Sequence, residues 1–262
     1  MKQKKLVLLL FAGIVFVTVR SQEAPHFSWG VECASNSVNG TLNEKWAVRQ
    51  DVSSYNGDYG YSNSGVLNTS MSMYSIGFKP EYSFYHDRLS VFSGLRLTRI
   101  NSYMDKLSSG SGDFFYLRYK TTPTSSEYCR VMSVDENNDY LGIPLELRYT
   151  AFRINRFSFF VKVGTELSFK LASKTDIAFT SESMNPYKDE ILNSVGVKVN
   201  TMYSTLYGSI GVKYSPNNRI NLNLDLFLPS AFLTTNNSTL IIPQNFSGFQ
   251  FSVQIPITTQ KK

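Results

Sequence analysis

The chain is poor in the residue types that build metal centres. It contains two histidines and two cysteines among 262 residues. His26, Cys33, His86 and Cys129 lack the short, regular spacing of zinc ligands. No glycine-rich phosphate-binding loop precedes a helical segment. The sequence therefore predicts neither a metal nor any other cofactor.

Long apolar runs are scarce as well, and the one clear case lies at the N-terminus. Residues 1–21 begin with three lysines, continue with the apolar run Leu6–Val19 and end at Ser21. The run is shorter than the ~20 residues of a transmembrane helix, and a positive head before it is typical of a secretory signal. We expect a signal peptide over 1–21 and one mature domain over 22–262, with a retained N-terminal anchor as the alternative.

A strong excess of positive charge is absent from the predicted mature chain. The full chain has a formal net charge of +6, but residues 1–21 contain four basic and no acidic residues, so +2 is left. The polar stretches 35–72, 101–138, 172–200 and 229–245 together sum to −3. This balance gives no basic surface for nucleic acid, which is not expected as a partner.

What the chain does contain is alternation of apolar and polar residues with a period of two. Leu141–Tyr149 and Phe157–Phe169 each place apolar residues on one parity and mostly small or charged residues on the other. Strand side chains point alternately to the two faces of a sheet, so this is a hairpin with one apolar wall and one polar wall. Similar patterns recur at 27–33, 74–84, 89–98, 206–214, 220–228 and 249–257, which makes eight strands.

The connections alternate in length. Short turns are predicted at Tyr85–Arg88, Thr150–Arg156 and Ser215–Asn218, whereas the four polar stretches above form the other connections. Short turns at one end and long loops at the other are the rule for transmembrane barrels. We therefore predict an all-β fold, an eight-stranded antiparallel up-and-down transmembrane barrel with long external loops and both termini in the periplasm. Phe114–Thr121 is expected as a hairpin arm above the membrane, and Asn185–Val195 as a short helix over the mouth.

Packing indicates which wall faces outward. A soluble, lipocalin-like barrel with an apolar interior shows the same alternation, but an eight-stranded barrel has room only for a filling of side chains. The apolar wall is bulky and rich in aromatics, and most of the strand glycines lie on the polar wall. Gly208 and Gly248 fit this pattern less well, and Gly208 shares the apolar parity. We expect the apolar wall to contact outer-membrane lipid and lipopolysaccharide. Arg99, near the external end of its strand, is read either as a contact to a lipopolysaccharide phosphate or as an ordinary rim residue.

The polar wall then becomes the interior, and its charges balance. Five acids face five bases, and unpaired buried charges are costly, so a mutually paired filling that closes the lumen is expected over an ion pathway. Phe92, Phe160 and Tyr207 add bulk there. The predicted lumen charge network consists of Glu32, Lys79, Glu81, Arg96, Glu146, Arg148, Lys162, Glu166, Lys213 and Asp225.

Other candidate sites are weaker. Cys33 and Cys129 are candidates for a disulfide, with two unpaired thiols as the alternative. Neighbouring acids such as Asp135 and Glu136 are interpreted as solvated surface residues. Both histidines map to the periplasmic end, so the Ser–His pair of an outer-leaflet lipid enzyme cannot form there. We expect no catalytic residues and no enzyme activity.

One segment is similar to a known family. Tyr140–Tyr149, with the sequence YLGIPLELRY, resembles the YLxIPLxLKY strand of an outer-membrane β-barrel domain family that is common in Bacteroidetes and often labelled PorT-like. Phe159–Phe169 and Ser209–Tyr214 also look like strands of that family. The resemblance implies a small up-and-down barrel in the outer membrane; most members are uncharacterised, and some are linked to secretion or gliding machinery.

The function expected from these features is non-enzymatic. We predict an integral outer-membrane protein that serves as a structural or docking component of the envelope, with a plugged lumen. A protein partner is expected at the external loops or at the periplasmic turns. The alternative is a narrow channel or a carrier of small ligands.

Overall fold

The computed structural model describes residues 26–46, 48, 67–85, 87–106, 114–121, 126–196, 198–217, 219–234 and 236–257. The predicted signal peptide and His86 lie outside these residues. The strands are β1 (His26–Leu42), β2 (Leu67–Phe78), β3 (Glu81–Phe84), β4 (Leu89–Phe92), β5 (Leu95–Lys106), β6 (Phe115–Thr121), β7 (Ser126–Ile154), β8 (Phe157–Phe179), β9 (Met202–Asn217), β10 (Ile220–Phe232) and β11 (Ile241–Ile257). A 3-10 helix, Glu182–Tyr187, leads into α1, Lys188–Val195. None of the helices in these ranges has the length and apolar character to cross a membrane.

The strands close into a ring of eight antiparallel barrel strands. Each barrel strand pairs with the next barrel strand along the chain, and β11 pairs with β1 from Phe27 opposite Ile257 to Leu42 opposite Ile241. β2 and β3 form one barrel strand, because both pair with β1 in a single register. β4 and β5 likewise form one barrel strand along β7. The predicted eight-stranded barrel is confirmed.

The interruption between β2 and β3 has a local cause. Pro80 has no N–H to give to the ladder. Gly94, in the facing gap between β4 and β5, has φ +142°, and a Cβ there would collide with the carbonyl oxygen of Phe78. Lys79 keeps its backbone bond to the Gly30 oxygen at 2.7 Å, so the ring stays closed across the break.

The two ends of the ring differ. Three short turns, between β3 and β4, β7 and β8, and β9 and β10, lie at what we call the turn end, together with the beginning of β1 and the end of β11. The longer connections lie at the opposite, loop end. There β6 pairs with β7 outside the ring, from Phe115 opposite Val131 to Thr121 opposite Ser126. This is the hairpin arm that the sequence predicts, and α1 agrees with the predicted short helix.

The walls of the barrel have the predicted polarity. Val31, Ile76 and Leu145 are 57%, 63% and 56% exposed on the outer wall, whereas Glu146 and Lys79 are 1% and 2% exposed inside. A polar interior under an apolar outer wall is the arrangement of transmembrane barrels. The alternative interpretation of the alternation, a soluble barrel with an apolar interior, is therefore wrong.

At the loop end, the strands extend much further than the sequence pattern predicts. The reason is that the polarity of the two walls inverts there, so that the outer wall becomes polar and the inner wall apolar. A row of paired residues marks the inversion: Ser35, Tyr74, Arg99, Asp139 and Ala172. On β7 the outer wall is apolar on the turn side of this row, and beyond it carries Asn137 and Asp135. Inside, beyond the row, Ile100, Met104 and Val134 are fully buried. The predicted loops 35–72, 101–138, 172–200 and 229–245 are thus partly strands with a polar outer face.

Two glycines of β9 provide a test of which wall is crowded. A Cβ on Gly211 would meet the ring of Phe160 and would lie 2.6 Å from the Leu224 carbonyl oxygen; at Gly208, on the outer wall, its nearest neighbour is 3.9 Å away. We expect Gly211→Ala to lower the free energy of unfolding by roughly 1–3 kcal/mol through overpacking and Gly208→Ala to leave it nearly unchanged. Urea titration of the folded barrel in micelles measures both variants. Equal effects of the two substitutions would contradict the assignment of the walls.

Candidate functional site

The ten residues of the predicted network come from seven of the eight barrel strands, and seven of the residues meet in the middle of the lumen. They project inward because they share the parity of the polar wall. The structure buries nine of them to 5% exposure or less: Glu32, Lys79, Glu81, Arg96, Glu146, Arg148, Lys162, Glu166 and Asp225. Lys213 differs, since it is half-buried near the turn end and forms no ion pair with a carboxylate of the described residues.

Arg96 is the centre of the network. Its Nε donates to Glu32 Oε1 at 2.6 Å, its Nη1 to Glu166 Oε2 at 2.6 Å and its Nη2 to Glu146 Oε1 at 3.0 Å. The planar guanidinium carries five N–H donors, and that number allows it to serve three carboxylates from three strands at once. Gln250 donates to the second oxygen of Glu32 at 2.7 Å. One side chain therefore ties β1, β7 and β8 to β5 across the lumen.

Glu146 is the second branching point. The ammonium of Lys162 lies 3.2 Å from Glu146 Oε2, and Lys79 forms an ion pair with the same oxygen. Lys162 also reaches Asp225 at 2.9 Å, and Lys79 reaches Glu32 at 2.9 Å. The Tyr207 hydroxyl donates to Glu146 Oε1 at 2.7 Å. Each of these buried cations thus has two carboxylate partners, which offsets the cost of removing it from water.

A smaller cluster lies nearer the turn end. Arg148 forms an ion pair with Glu81 and donates to Asn223 Oδ1 at 3.1 Å. Its guanidinium carbon is 4.7 Å from the ring centre of Phe92 and 5.1 Å from that of Phe160, which places the cation between two aromatic faces. Such cation–π contacts gain strength in a desolvated site. The aromatic residues that the sequence places inside the barrel thus contact its charges.

A second buried polar cluster lies at the loop end, and the sequence pattern gives no sign of it. Glu136, interpreted from the sequence as a solvated surface acid, is fully buried. Its two carboxylate oxygens accept the backbone N–H of Thr239 at 2.9 and 3.0 Å, and Asn138 donates to it at 2.5 Å. The surface interpretation is wrong because residues 236–240, which connect β10 to β11, fold into the mouth of the barrel. The polar composition of residues 236–240 is typical of an external loop, and the sequence alone therefore predicts such a loop.

The same segment is held on its other side by the connection after β1. The Trp46 indole N–H and the Asn43 side-chain amide donate to the Thr239 carbonyl at 2.9 and 3.0 Å. Asn138 donates to the Asn237 carbonyl at 3.1 Å. The backbone polar groups of a buried segment need such partners. Residues 236–240 are therefore anchored inside the mouth of the barrel by hydrogen bonds from two sides, and we name this segment the mouth closure.

A small cavity borders the ion pairs on the side of the loop end. A cavity of about 10 Å³ lies beside Arg96 and Glu166, with Asn36, Thr98 and Tyr203 among its lining residues. This is about the space of one water molecule. Around and above it, apolar side chains fill the loop end: Val38, Met71, Met73, Ile100, Met104, Val134, Tyr140, Phe227, Ile241 and Phe246.

The cysteines do not form the candidate disulfide. Cys33 is exposed on the outer wall of β1, whereas Cys129 is buried inside the β6–β7 arm and donates weakly to the Leu117 carbonyl at 3.4 Å. The two side chains project into different surroundings, so both thiols are free. Burial raises the pKa of the Cys129 thiol to about 11.

Arg99 lies on the outer wall at the inversion row. Its Nε and Nη2 donate to the two carboxylate oxygens of Asp139 at 2.7 and 2.9 Å, a bidentate pair that is open to solvent. Its cation is already neutralised within the protein. Elsewhere, the part of the chain that the structure describes holds no group of three or more His, Cys, Asp or Glu side chains with the geometry of a metal site.

Comparisons with known proteins give only remote structural similarities. No protein-family model and no curated protein matches the chain. Among solved structures, it is similar to the outer membrane protein OprG from Pseudomonas aeruginosa, with 12% identity, a TM-score of 0.39 and coverage of 90% of this chain and 96% of that one. It is also similar to Neisserial surface protein A, with 10% identity, a TM-score of 0.37 and coverage of 89% and 99%. The third is Ail, the attachment invasion locus protein of Yersinia pestis, with 8% identity, a TM-score of 0.35 and coverage of 90% and 100%. The function of this chain is therefore inferred from its own geometry.

Arg96 and Arg99 form a matched pair for testing the network, since they are near neighbours on β5 and face opposite sides of the wall. Arg96→Gln leaves Glu32 and Glu166 without their shared cation, and breaking a buried ion pair from one side costs about 3–5 kcal/mol. Arg99→Gln breaks an exposed pair and is expected to have no measurable effect on stability. The free energy of unfolding in urea distinguishes them, and similar small losses in both would refute the central role of Arg96.

The mouth closure is tested at Glu136. Glu136→Gln replaces a carboxylate oxygen by an amide that faces the N–H of Thr239, and a hydrogen bond to a charged group contributes about 1.5–3 kcal/mol. We expect amide hydrogen exchange in 237–240 to accelerate roughly 10- to 100-fold, with little change in β7 and β8. Asp135→Asn, on the outer face of the same strand, serves as the control. Unchanged exchange in the Glu136 variant would show that the carboxylate does not hold the closure.

Proposed function

We propose that the chain is a non-enzymatic integral protein of the bacterial outer membrane, a structural or docking component of the envelope whose lumen is closed. The observation that carries this proposal is the double filling of the barrel. Ion pairs centred on Arg96 occupy the middle, and the mouth closure with its apolar surroundings occupies the loop end. A solid interior leaves the outer wall, the turns and the loops as the surfaces that act.

The outer wall supports insertion into a lipid bilayer. On β7, exposed apolar side chains of the outer wall run from Leu141 to Tyr149, close to the ~9–11 residues of a tilted transmembrane strand. Outer-membrane lipid and lipopolysaccharide are the proposed partners of this wall. The proposed orientation places the loop end outside and both termini in the periplasm, as is usual for barrels with short periplasmic turns.

The segment that resembles the PorT-like family of Bacteroidetes lies at this crossing. In YLGIPLELRY, the outward Leu141, Ile143 and Leu145 belong to the apolar wall, and Glu146 and Arg148 belong to the lumen network. The motif thus combines lipid contact with a charged filling, and the family relation is proposed on that ground.

Two carboxylates buried inside the barrel are fully engaged by donors of the protein itself. Glu136 is bound by backbone and side-chain donors of the mouth closure, and Glu146 is surrounded by Lys79, Lys162 and Arg96. A general base must lie within hydrogen-bond reach of a substrate proton, whereas the oxygens of these two carboxylates already bind donors of the protein. This supports a non-enzymatic role.

For docking, the β6–β7 arm is the proposed external surface. Its inner face, with Phe115 and Val131, is buried in the core, and its outer face exposes Tyr128 and Met132 at 39% and 44%. Arg130 lies over the rings of Phe114 and Tyr116. Tyrosine, methionine and arginine are enriched in protein interfaces, so a protein partner is proposed there.

Planar-bilayer recording tests the closed lumen. We expect no steady conductance from the wild-type protein, and none from a variant that lacks residues 236–240, because the ion pairs still fill the middle. Heat-modifiable mobility on gels verifies that each preparation is folded, and an open porin serves as the positive control. Steady conductance of the wild type would favour the narrow channel or carrier, and conductance of the deletion variant alone would make the mouth closure a gate.

A further inference from the structure

The three short turns share a feature that the lumen does not explain: each contains an exposed arginine. Arg88 ends the turn between β3 and β4, Arg156 lies in the turn between β7 and β8, and Arg219 lies in the turn between β9 and β10. Because the three hairpins close at the same end of the barrel, these guanidinium groups are distributed along one rim.

The rim is positively charged. Among the described residues of the three turns, the one acid is Asp87, which is half-buried. Arg153, at the end of β7, donates to the backbone carbonyl of Asp87 at 2.6 Å and adds another cation to the same end. The predicted mature chain is nearly neutral overall, so this concentration of charge is local.

Exposed aromatic side chains lie directly beside the arginines. Tyr149, Phe152 and Phe157 are 43%, 53% and 46% exposed on the outer wall. The ring of Phe157 stacks on Tyr214 at 4.8 Å between centres. Aromatic belts of membrane proteins lie at the level of the lipid headgroups. Arginines in the turns just beyond such a belt therefore reach the level of the lipid phosphates.

The opposite boundary of the apolar wall has a different character. Arg99 lies there at the inversion row, and Asp139 occupies its guanidinium through a bidentate pair. That boundary row thus carries one arginine and one acid, whereas the three turns carry three arginines and one acid. The two membrane boundaries of this barrel are electrostatically unequal.

We propose that the rim formed by Arg88, Arg156 and Arg219 binds the phosphate headgroups of anionic phospholipids in the periplasmic leaflet. A guanidinium matches two phosphate oxygens with parallel N–H donors, and the long arginine stem lets the charge reach the headgroup while its methylenes stay on apolar surface. Basic residues at a membrane surface attract anionic lipid within about a Debye length. This inference rests on the proposed function, since it requires the barrel to span the membrane with the turn end in the periplasm.

The experiment compares two triple variants that remove the same charge. The turn-end variant carries Arg88→Gln, Arg156→Gln and Arg219→Gln. The loop-end control carries Arg99→Gln, Arg118→Gln on β6 and Lys174→Gln on β8, all three of which are exposed. Arg153 is left in place because it supports the first turn. The probe is short-chain phosphatidylglycerol, titrated against phosphatidylcholine in mixed micelles that contain the folded protein, with bound lipid counted by native mass spectrometry at two salt concentrations.

We expect the wild type to prefer phosphatidylglycerol and the loop-end control to keep that preference. In the turn-end variant, the preference is expected to weaken roughly 10- to 100-fold, because each basic residue near an anionic surface contributes about fivefold. A preference unchanged in the turn-end variant would overturn the proposal and would favour an acidic periplasmic protein as the partner of the arginines. Equal weakening in both variants would also overturn it, since only net charge would then matter.

Failure of the proposed function has a separate signature. The wild type is first tested for flotation with lipid vesicles and for heat-modifiable mobility. A chain that does not enter vesicles contradicts the membrane barrel itself. A chain that inserts normally but shows no preference for phosphatidylglycerol contradicts only the rim.

Discussion

The guanidinium of Arg96, bonded to three carboxylates of three other strands, is the interaction on which the rest of the barrel depends. An eight-stranded ring is too narrow to hydrate its interior, so charges placed there must satisfy one another. Arg96 meets this requirement by its geometry, because the N–H donors of its planar guanidinium reach Glu32, Glu146 and Glu166 together. Lys79 and Lys162 add two further ion pairs to Glu146, and the rest of the network extends outward from these few contacts.

That constraint also explains why the middle of the barrel could be predicted from the sequence. A membrane imposes apolar residues on one parity, and a narrow lumen imposes small or mutually paired residues on the other. Both effects leave a pattern with a period of two in the sequence. The barrel strands, the short turns and the inward charges can be predicted from this pattern. Pro80 and Gly94 lie at the interruptions between β2 and β3 and between β4 and β5. Pairing within the network was not accessible, because which carboxylate meets Arg96 depends on register and rotamer.

The loop end could not be predicted in the same way. Beyond the row through Arg99 and Asp139, the outer wall is polar and the inside is apolar. The strand alternation there therefore resembles a polar loop with scattered hydrophobic residues. Glu136 and Thr239 are 103 positions apart, and no local pattern connects them. The mouth closure is therefore a tertiary feature, built from a segment whose composition is that of an ordinary connection.

The contact between Glu32 and Gln250 joins the first barrel strand to the last, over a sequence separation of 218. Until β11 arrives, Glu32 and its neighbours lack part of their hydrogen-bonding shell. In the membrane location proposed above, a half-built sheet would have to present these charges to hydrocarbon. Stepwise entry of single hairpins into lipid is thus disfavoured. Biogenesis of this protein is expected to hold the whole chain in an aqueous, chaperoned state until its final strand is available, and to insert it in one concerted event.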